Sequence, residues 1–368
     1  MMIVKLKEIA SFSKGIQING DSLLEEGKYD YLNGGINPSG KWNEFNVKGD
    51  TVAISEGGNS CGYVNYMDSP FWCGGHCYYL YDLKCNTHYL FYALKSQQNR
   101  LMQLRSGACM PNIKKSDLGE FEFEYCTDER EQLKIVSRLV QVDSLIELKK
   151  QQLIKIDELV KSRFIELLGD PETNPYGWKQ TTVGEVCSSI VRGPFGSALK
   201  KEFFVEPNET TYKVYEQKHA IQKSATIGTY YITAEKFDEL RRFECVAGDI
   251  LMSCSGTMGE LYQLPEGCEK GLINQALCKF TLNKKILPIV FLTYMKQTIG
   301  KLETKGSGIQ NIAAVSYVKA MPINLAPMEV QEQFAAFVEQ TDKSKLAIKD
   351  SLEKLETLKK ALMQEYFD

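Results

Sequence analysis

Short apolar runs with a period of two, such as TVAIS at 51–55 and HCYYLYDL at 76–83, alternate with turn-rich stretches such as NGGINPSG at 33–40. That alternation predicts short strands with at least one buried face. The pattern changes between residues 128 and 168, where neither Pro nor Gly occurs. There Leu139, Ile146, Leu153, Val160 and Leu167 recur every seventh residue, and Val142 and Ile156 lie three further on. Lys149 and Arg163 interrupt that second position, so the seam is imperfect. Heptad spacing sustained over several repeats predicts a coiled-coil helix. Thr127 is read as its N-cap, with Arg130 in place of the Glu of a capping box. Gly169 and Pro171 end it. A second such helix is predicted after Pro327, with Ile348, Leu352, Leu355 and Leu362 on its stripe. At 1.5 Å per residue each helix is about 60 Å long, more than a small domain needs, so the two are expected to pack antiparallel.

The chain also repeats itself at a shift of roughly 200 residues. VKLKEIA matches TTVGEVC, KGDTVAI matches AGDILMS, HYLFYALKS matches VFLTYMKQT, and EREQLKIV matches EVQEQFAAF. Gly107, Asn112 and Ile113 fall on Gly306, Asn311 and Ile312. The segment before each Gly-Asp turn hardly matches. This gives an α+β protein with an internal pseudo-twofold repeat. Its expected parts are a globular domain at 1–126, a spacer helix at 127–169, a linker at 170–177, a second globular domain at 178–326 and a second spacer helix at 327–368.

Composition narrows the chemistry. The net charge of −3 provides no general attraction to nucleic acid, so any such binding must come from local patches. The 11 cysteines follow no framework spacing, and no apolar run reaches membrane length, so a cytoplasmic protein with reduced thiols is expected. Cys73, His76, Cys77, Cys85 and His88 carry zinc-type donors, but without a C-x2-C knuckle and inside a stretch that reads as a buried strand. No metal site is expected.

Two catalytic motifs are near misses. Asn174-Pro175-Tyr176, within GDPETNPYGW, is close to the Asn-Pro-Pro-Tyr loop of DNA amino-methyltransferases. The second Pro is missing, and no Gly-rich strand-to-helix turn accompanies it for a cofactor. Its Pro, Gly, Asp and Asn content is linker chemistry. GINPSGKW at 35–42 fits G-x-x-x-x-G-K, but Trp42 stands where Ser or Thr would hold a metal ion, and strand rather than helix follows. No catalytic residues are assigned, and the chain is expected not to be an enzyme by itself.

A nucleic-acid reader needs cations for phosphates and planar or amide side chains for base edges. The first domain offers Lys14, Gln17, Arg105, Asn112, Lys114 and Lys115. The second offers Arg192, Ser197, Lys200, Lys201, Tyr215, Gln217, Lys218, Lys305, Ser307, Gln310 and Asn311. Residues 178–326 carry about four more basic than acidic side chains, and residues 1–126 about two fewer. Polar loops recurring at matching places in both halves favour binding over plain solvation. The rival reading is a coiled-coil adaptor that binds proteins and never touches DNA.

The duplicated unit, the two heptad helices, GPFGSALK at 193–200, GDPETNPYGW at 169–178 and YLNGGINPSGKWNEFN at 31–46 together resemble the specificity subunit of type I restriction-modification systems. The resemblance spans nearly the whole chain. It implies two target-recognition domains, each reading half of a split sequence in double-stranded DNA, with the helices as spacer. It also implies methyltransferase subunits, expected as a pair, docked on the helices, and restriction subunits beyond them. S-adenosylmethionine, ATP and Mg would then sit on those partners, with no cofactor on this chain.

Overall fold

The computed structural model describes residues 2–107, 111–304 and 314–367, without the side chains of 196, 197 and 300–304. The chain divides into two compact units, one formed by residues 1–152 with 348–368 and the other by residues 153–347.

Unit 1 holds strands β1 (Met2–Lys5), β2 (Ser11–Lys14), β3 (Tyr29–Leu32), β4 (Gly40–Trp42), β5 (Thr51–Ser55), β6 (Val64–Met67), β7 (Phe71–Cys73), β8 (Cys77–Tyr81) and β9 (Glu122–Tyr125). Its helices are α1 (Leu6–Ile9), α2 (Thr87–Ser96), α3 (Gln98–Gln103), α4 (Lys115–Gly119) and the long α5 (Glu129–Leu168), which continues into unit 2. The main sheet has the order β2-β8-β5-β6 and is antiparallel throughout. A smaller sheet, β4-β3-β7, pairs β3 with β7 in parallel, and β1 pairs with β9.

The period-two pattern decides what each face meets. Val52 and Ile54 of β5 and Tyr78 and Leu80 of β8 face Tyr89, Leu90 and Ala93 of α2. Ala53 and Cys77 point the other way, onto Leu32, Phe71 and Cys73 of the smaller sheet. The cysteines of HCYYLYDL and its neighbour therefore pack as small apolar residues. His88 instead lies against the Tyr66 ring, centroids 4.2 Å apart, so these residues do not converge. Among the described residues no three His, Cys, Asp or Glu side chains gather into a metal-binding group. GINPSGKW forms the turn into β4, which pairs with β3, so no helix N-terminus meets its glycines.

Unit 2 repeats the plan. Its strands are β10 (Lys179–Thr182), β11 (Cys187–Arg192), β12 (Tyr212–Tyr215), β13 (Tyr231–Ile232), β14 (Glu244–Cys245), β15 (Ile250–Ser253), β16 (Leu261–Gln263), β17 (Gly271–Ile273), β18 (Leu277–Leu282) and β19 (Pro322–Leu325). Its helices are α6 (Val183–Val186), α7 (Gln217–Gln222), α8 (Ala234–Glu239), α9 (Pro288–Thr304), α10 (Val315–Ala320) and the long α11 (Met328–Phe367), which returns into unit 1. The order β11-β18-β15-β16 reproduces β2-β8-β5-β6 strand for strand. The parallel pair β12–β17 reproduces β3–β7, and β10–β19 reproduces β1–β9. β13 on β12 likewise reproduces β4 on β3, and unit 2 adds α7, α8 and β14 before its Gly-Asp turn, which is where the two halves of the sequence cease to match.

The ends of the long helices belong to the domain cores. In unit 1, Ile135 and Leu139 of α5 and Phe367 of α11 join the core of the main sheet. In unit 2, Phe164 and Leu168 of α5 join Phe334 and Val338 of α11, the two Phe rings meeting edge-on at 5.4 Å. Within each unit the two helix segments run antiparallel. Asp143 pairs with Lys359 at 2.5 Å while Arg138 donates to the Tyr366 hydroxyl at 2.6 Å. In unit 2, Asp157 pairs with Lys345 at 2.6 Å and Arg163 lies over the Phe337 ring. Of the predicted stripe, Leu139, Val142 and Ile146 are buried. Leu153, Ile156, Val160, Leu167, Ile348, Leu352, Leu355 and Leu362 are half-buried. The cap of α5 is a correction: Asp128, not Thr127, accepts the first amides, from Arg130 at 2.8 Å and Glu131 at 3.5 Å. A carboxylate two residues before Arg130 reaches those amides and complements the helix dipole.

Candidate nucleic-acid interface

In unit 1, three strands deliver polar residues to one end of the main sheet. Lys14 stands opposite Tyr78, and Ser55 opposite Cys77, so β2, β5 and β8 finish together. Glu56, the first residue past β5, has a side chain only 8% exposed and receives the Lys14 ammonium at 2.8 Å. His76 approaches the same carboxylate, its Nδ1 3.4 Å away. The stretch around 105–113 joins this end through its backbone. Ile113 N–H donates to the Glu56 carbonyl at 2.9 Å, and Gly58 N–H to the Pro111 carbonyl at 3.0 Å. Ser106 and Asn112 exchange backbone bonds, which leaves Arg105 and Asn112 exposed at the rim. Burial pushes the Cys61 thiol beneath them up to about 11, with Glu56 adding to the rise and Arg105 opposing it.

This sheet end therefore brings together Lys14, Arg105 and Asn112. Gln17 is also exposed, and its amide donates to the Ile18 carbonyl at 3.0 Å. Lys114 and Lys115 are exposed at the start of α4, with the Lys115 ammonium 5.6 Å from the Phe12 ring centre.

Unit 2 places Arg192 where unit 1 has Lys14. Arg192 stands opposite Cys278, and Ser253 opposite Leu277, in the register that fixes Lys14 and Ser55. The strand ends Lys14-Gly15 and Arg192-Gly193 are thus one feature of the repeat. Arg192 Nε donates to the Gln275 carbonyl at 3.0 Å, and one terminal nitrogen to the Cys254 carbonyl at 3.3 Å. Cys254 stands where unit 1 has Glu56. Gln217, at the start of α7, joins this end by accepting from the Ser255 hydroxyl at 3.1 Å. Lys218 turns to Glu216 at 2.6 Å. Lys200 and Lys201 are exposed, the former 3.6 Å from Glu202.

Tyr215 is a correction. It is fully buried, with its hydroxyl donating to the Glu269 carbonyl at 2.6 Å, because β12 directs it into the core beneath the second sheet. It presents no surface to a ligand. Lys305, Ser307, Gln310 and Asn311 lie outside the described residues, as does the side chain of Ser197. Sequence reasoning missed Glu56 and His76 in unit 1 and Ser255 and Gln275 in unit 2. An acid directly after the apolar strand TVAIS was the one available signal for Glu56.

Asn174 is spent on its own turn. Its side-chain amide donates to the Trp178 carbonyl at 2.8 Å, and its side-chain oxygen accepts the Trp178 N–H at 2.9 Å. The Tyr176 hydroxyl reaches back to the Glu166 carbonyl at 2.5 Å, and the Trp178 indole to the Leu168 carbonyl at 3.0 Å. The motif is a rigid clasp at the end of α5, with neither polar atom of the Asn174 amide left for a substrate.

Two tandem copies of one sheet-and-helix unit, each with a basic side chain at the same sheet end, define the class: a duplicated binding scaffold. The sequence pattern of the type I restriction modification DNA specificity domain matches residues 1–158 and 175–359, and the chain belongs to that family. A Mycoplasma genitalium protein named as a type I specificity subunit is 31% identical over 216 residues, 56% of this chain and 56% of its own length. A Mycoplasma pneumoniae protein of the same name class is 34% identical over 166 residues, 44% of each chain. The chain thus matches about half the length of these relatives. The fold is that of the crystal structure of the type I restriction-modification S subunit from M. genitalium. That likeness has a TM-score of 0.60 at 22% identity and covers 100% of this chain and 96% of that one. A chain from a structural study of type I system assembly and conformational transition matches with a TM-score of 0.59 at 13% identity, covering 99% and 96%.

Proposed function

We propose that this chain reads double-stranded DNA for a type I restriction-modification complex, each unit binding one half of a split sequence. The observation that carries this is the DNA specificity family pattern on both halves, joined to the basic strand end that both units repeat at Lys14 and Arg192. The chain selects the sequence and leaves the chemistry to others. Methyltransferase subunits, two of them, would dock on the long helices and carry S-adenosylmethionine. Restriction subunits would supply ATP- and Mg-dependent cleavage. The unrepeated segments before each Gly-Asp turn, α7 and α8 included, are where the two units would differ in the sequence they read.

A methylation map tests this. The chain is expressed with its methyltransferase subunit in a methylation-free host, and modified adenines are sequenced. A two-part motif that disappears when this chain is omitted is the expected result. An active methyltransferase in a soluble complex that marks no new sequence would overturn the reading.

Lys14 offers a finer check. Its ammonium lies 2.8 Å from the buried Glu56 carboxylate. Glu56→Gln keeps the shape and removes the charge, which leaves Lys14 available to a phosphate. DNA binding is then expected to tighten at low salt, with the slope of log K against log salt steepening by about 0.9. An unchanged slope would show that releasing Lys14 from Glu56 adds no phosphate contact.

A further inference from the structure

We infer that Phe195 is a wedge that enters the base stack of DNA bound by unit 2, with Ile16 as its smaller counterpart in unit 1. This rests on the DNA reading given above and assigns a residue that reading leaves undefined.

Phe195 is 71% exposed, and Ile16 is 61% exposed. Single apolar side chains at a surface are ordinary. Their position is what sets these two apart. Each follows the basic residue and glycine that end the repeated strand: Lys14-Gly15-Ile16 in one unit and Arg192-Gly193-Pro194-Phe195 in the other. The backbone beneath each is fixed while the side chain projects. Gly193 N–H donates to the Leu277 carbonyl at 2.9 Å, and Pro194 then holds φ by its ring. In unit 1, Ile16 N–H donates to the Cys73 carbonyl at 2.8 Å and its own carbonyl accepts the Trp72 indole at 2.7 Å. An apolar tip on a rigid base costs little ordering entropy when it inserts.

The electrostatics fit a nucleic acid. The Arg192 guanidinium lies 5.8 Å from the Phe195 ring centre and is tied to two backbone carbonyls, so cation and ring form one prearranged unit. A ring backed by a guanidinium stacks on any base, because every base offers a π face. Insertion of an apolar wedge unstacks one step and bends the duplex, at a cost that depends on the step. Flexible pyrimidine–purine steps would be favoured beneath Phe195.

The test uses the full chain with its methyltransferase partner and a duplex carrying the split sequence found by methylation mapping. 2-Aminopurine is placed in turn at each position of the unit 2 half-site other than the methylated adenine. The wild type is expected to brighten one position on binding. Phe195→Ala should abolish that signal and weaken binding about 10- to 100-fold with the salt slope unchanged. Phe195→Trp should restore binding. An unaltered 2-aminopurine signal in Phe195→Ala overturns the inference. If that variant loses the methyltransferase subunit while keeping the signal, Phe195 is a protein-docking residue instead. A wild-type complex that leaves the duplex unbound overturns the DNA reading itself, and this inference with it.

Discussion

Gly193→Ala is expected to unfold the sheet end that carries Arg192, and Gly15→Ala to do the same around Lys14. A Cβ on Gly193 would lie 1.8 Å from the carbonyl oxygen of Asn274, and one on Gly15 1.9 Å from that of Cys73. Both obstacles are backbone atoms, so no rotamer change relieves the overlap. The strand must instead move away from Cys73 at the end of β7, or from Asn274 just past β17. That would break Gly193 N–H to Leu277, or Gly15 N–H to Cys77, and take the basic residue with it. Overpacking of this kind typically costs about 1–3 kcal/mol, and more where, as here, backbone must move. Gly20→Ala is the control. Nothing lies within 4 Å of its added Cβ, so a change within about 0.5 kcal/mol is expected. Because the chain holds two compact units, a single melting temperature would blur the result. Hydrogen exchange read peptide by peptide resolves it. Gly193→Ala should lose protection in β11, β15 and β18 and leave β2, β5 and β8 protected. In the methylation map, the half-site read by unit 2 should then degrade alone. Equal protection in variant and wild type would mean that the backbone yields cheaply at this crossing.

What the sequence disclosed here follows from how local each signal is. The long helices were legible because heptad spacing is written in consecutive residues, and α5 and α11 each cover 40 residues. What the ends of those helices pack against was not legible. Ile135, Phe164, Phe334 and Phe367 are buried by packing into the sheet domains, and a heptad template says nothing about that packing. The duplication was visible wherever core strands constrain residue type, as in KGDTVAI and AGDILMS. The equivalence of Lys14-Gly15 and Arg192-Gly193 was not visible, because SFSKGIQ and SIVRGPF share few residues beyond a basic side chain and a glycine, and only the strand register pairs them. The candidate interface was legible only as a collection of polar loops. Which polar residue faces outward depends on strand parity, and Tyr215, which looked like a contact beside Gln217, points inward by that rule. Glu56 meets Lys14, and His76 meets Glu56, only through the sheet, from positions 42 and 62 residues beyond Lys14.

The Gly-Asp turn shows how one motif can do two jobs, and it supports the other large expected effect. Asp249→Ala should destabilise unit 2 by about 3–5 kcal/mol, because it strands a buried cation. Asp249 is 3% exposed. One carboxylate oxygen accepts from the Thr281 hydroxyl at 2.5 Å and the other from Val246 N–H at 3.0 Å. Lys279, whose side chain is 12% exposed, lies 3.4 Å from that second oxygen and donates to the Glu244 carbonyl at 2.6 Å. Removing the carboxylate leaves an ammonium, a hydroxyl and an amide with unmet bonds in the same small volume, and each carries its own desolvation cost. Asp249→Asn keeps one oxygen to accept from the Val246 amide and turns its NH2 to the Thr281 hydroxyl, which can accept, so it should fall between the alanine variant and wild type. Asp50, at the matching place in unit 1, is solvent-facing. Its side chain is 64% exposed and accepts from the Tyr66 hydroxyl at 2.8 Å and the Thr87 hydroxyl at 3.2 Å. Water can replace both donors' partner, so Asp50→Ala should cost about 1 kcal/mol. Denaturant titration with exchange protection assigned to each unit separates the two variants. Equal losses at Asp50 and Asp249 would mean that Lys279 escapes to solvent once its partner is gone, so that burial of the pair, rather than the pair itself, had been overcounted.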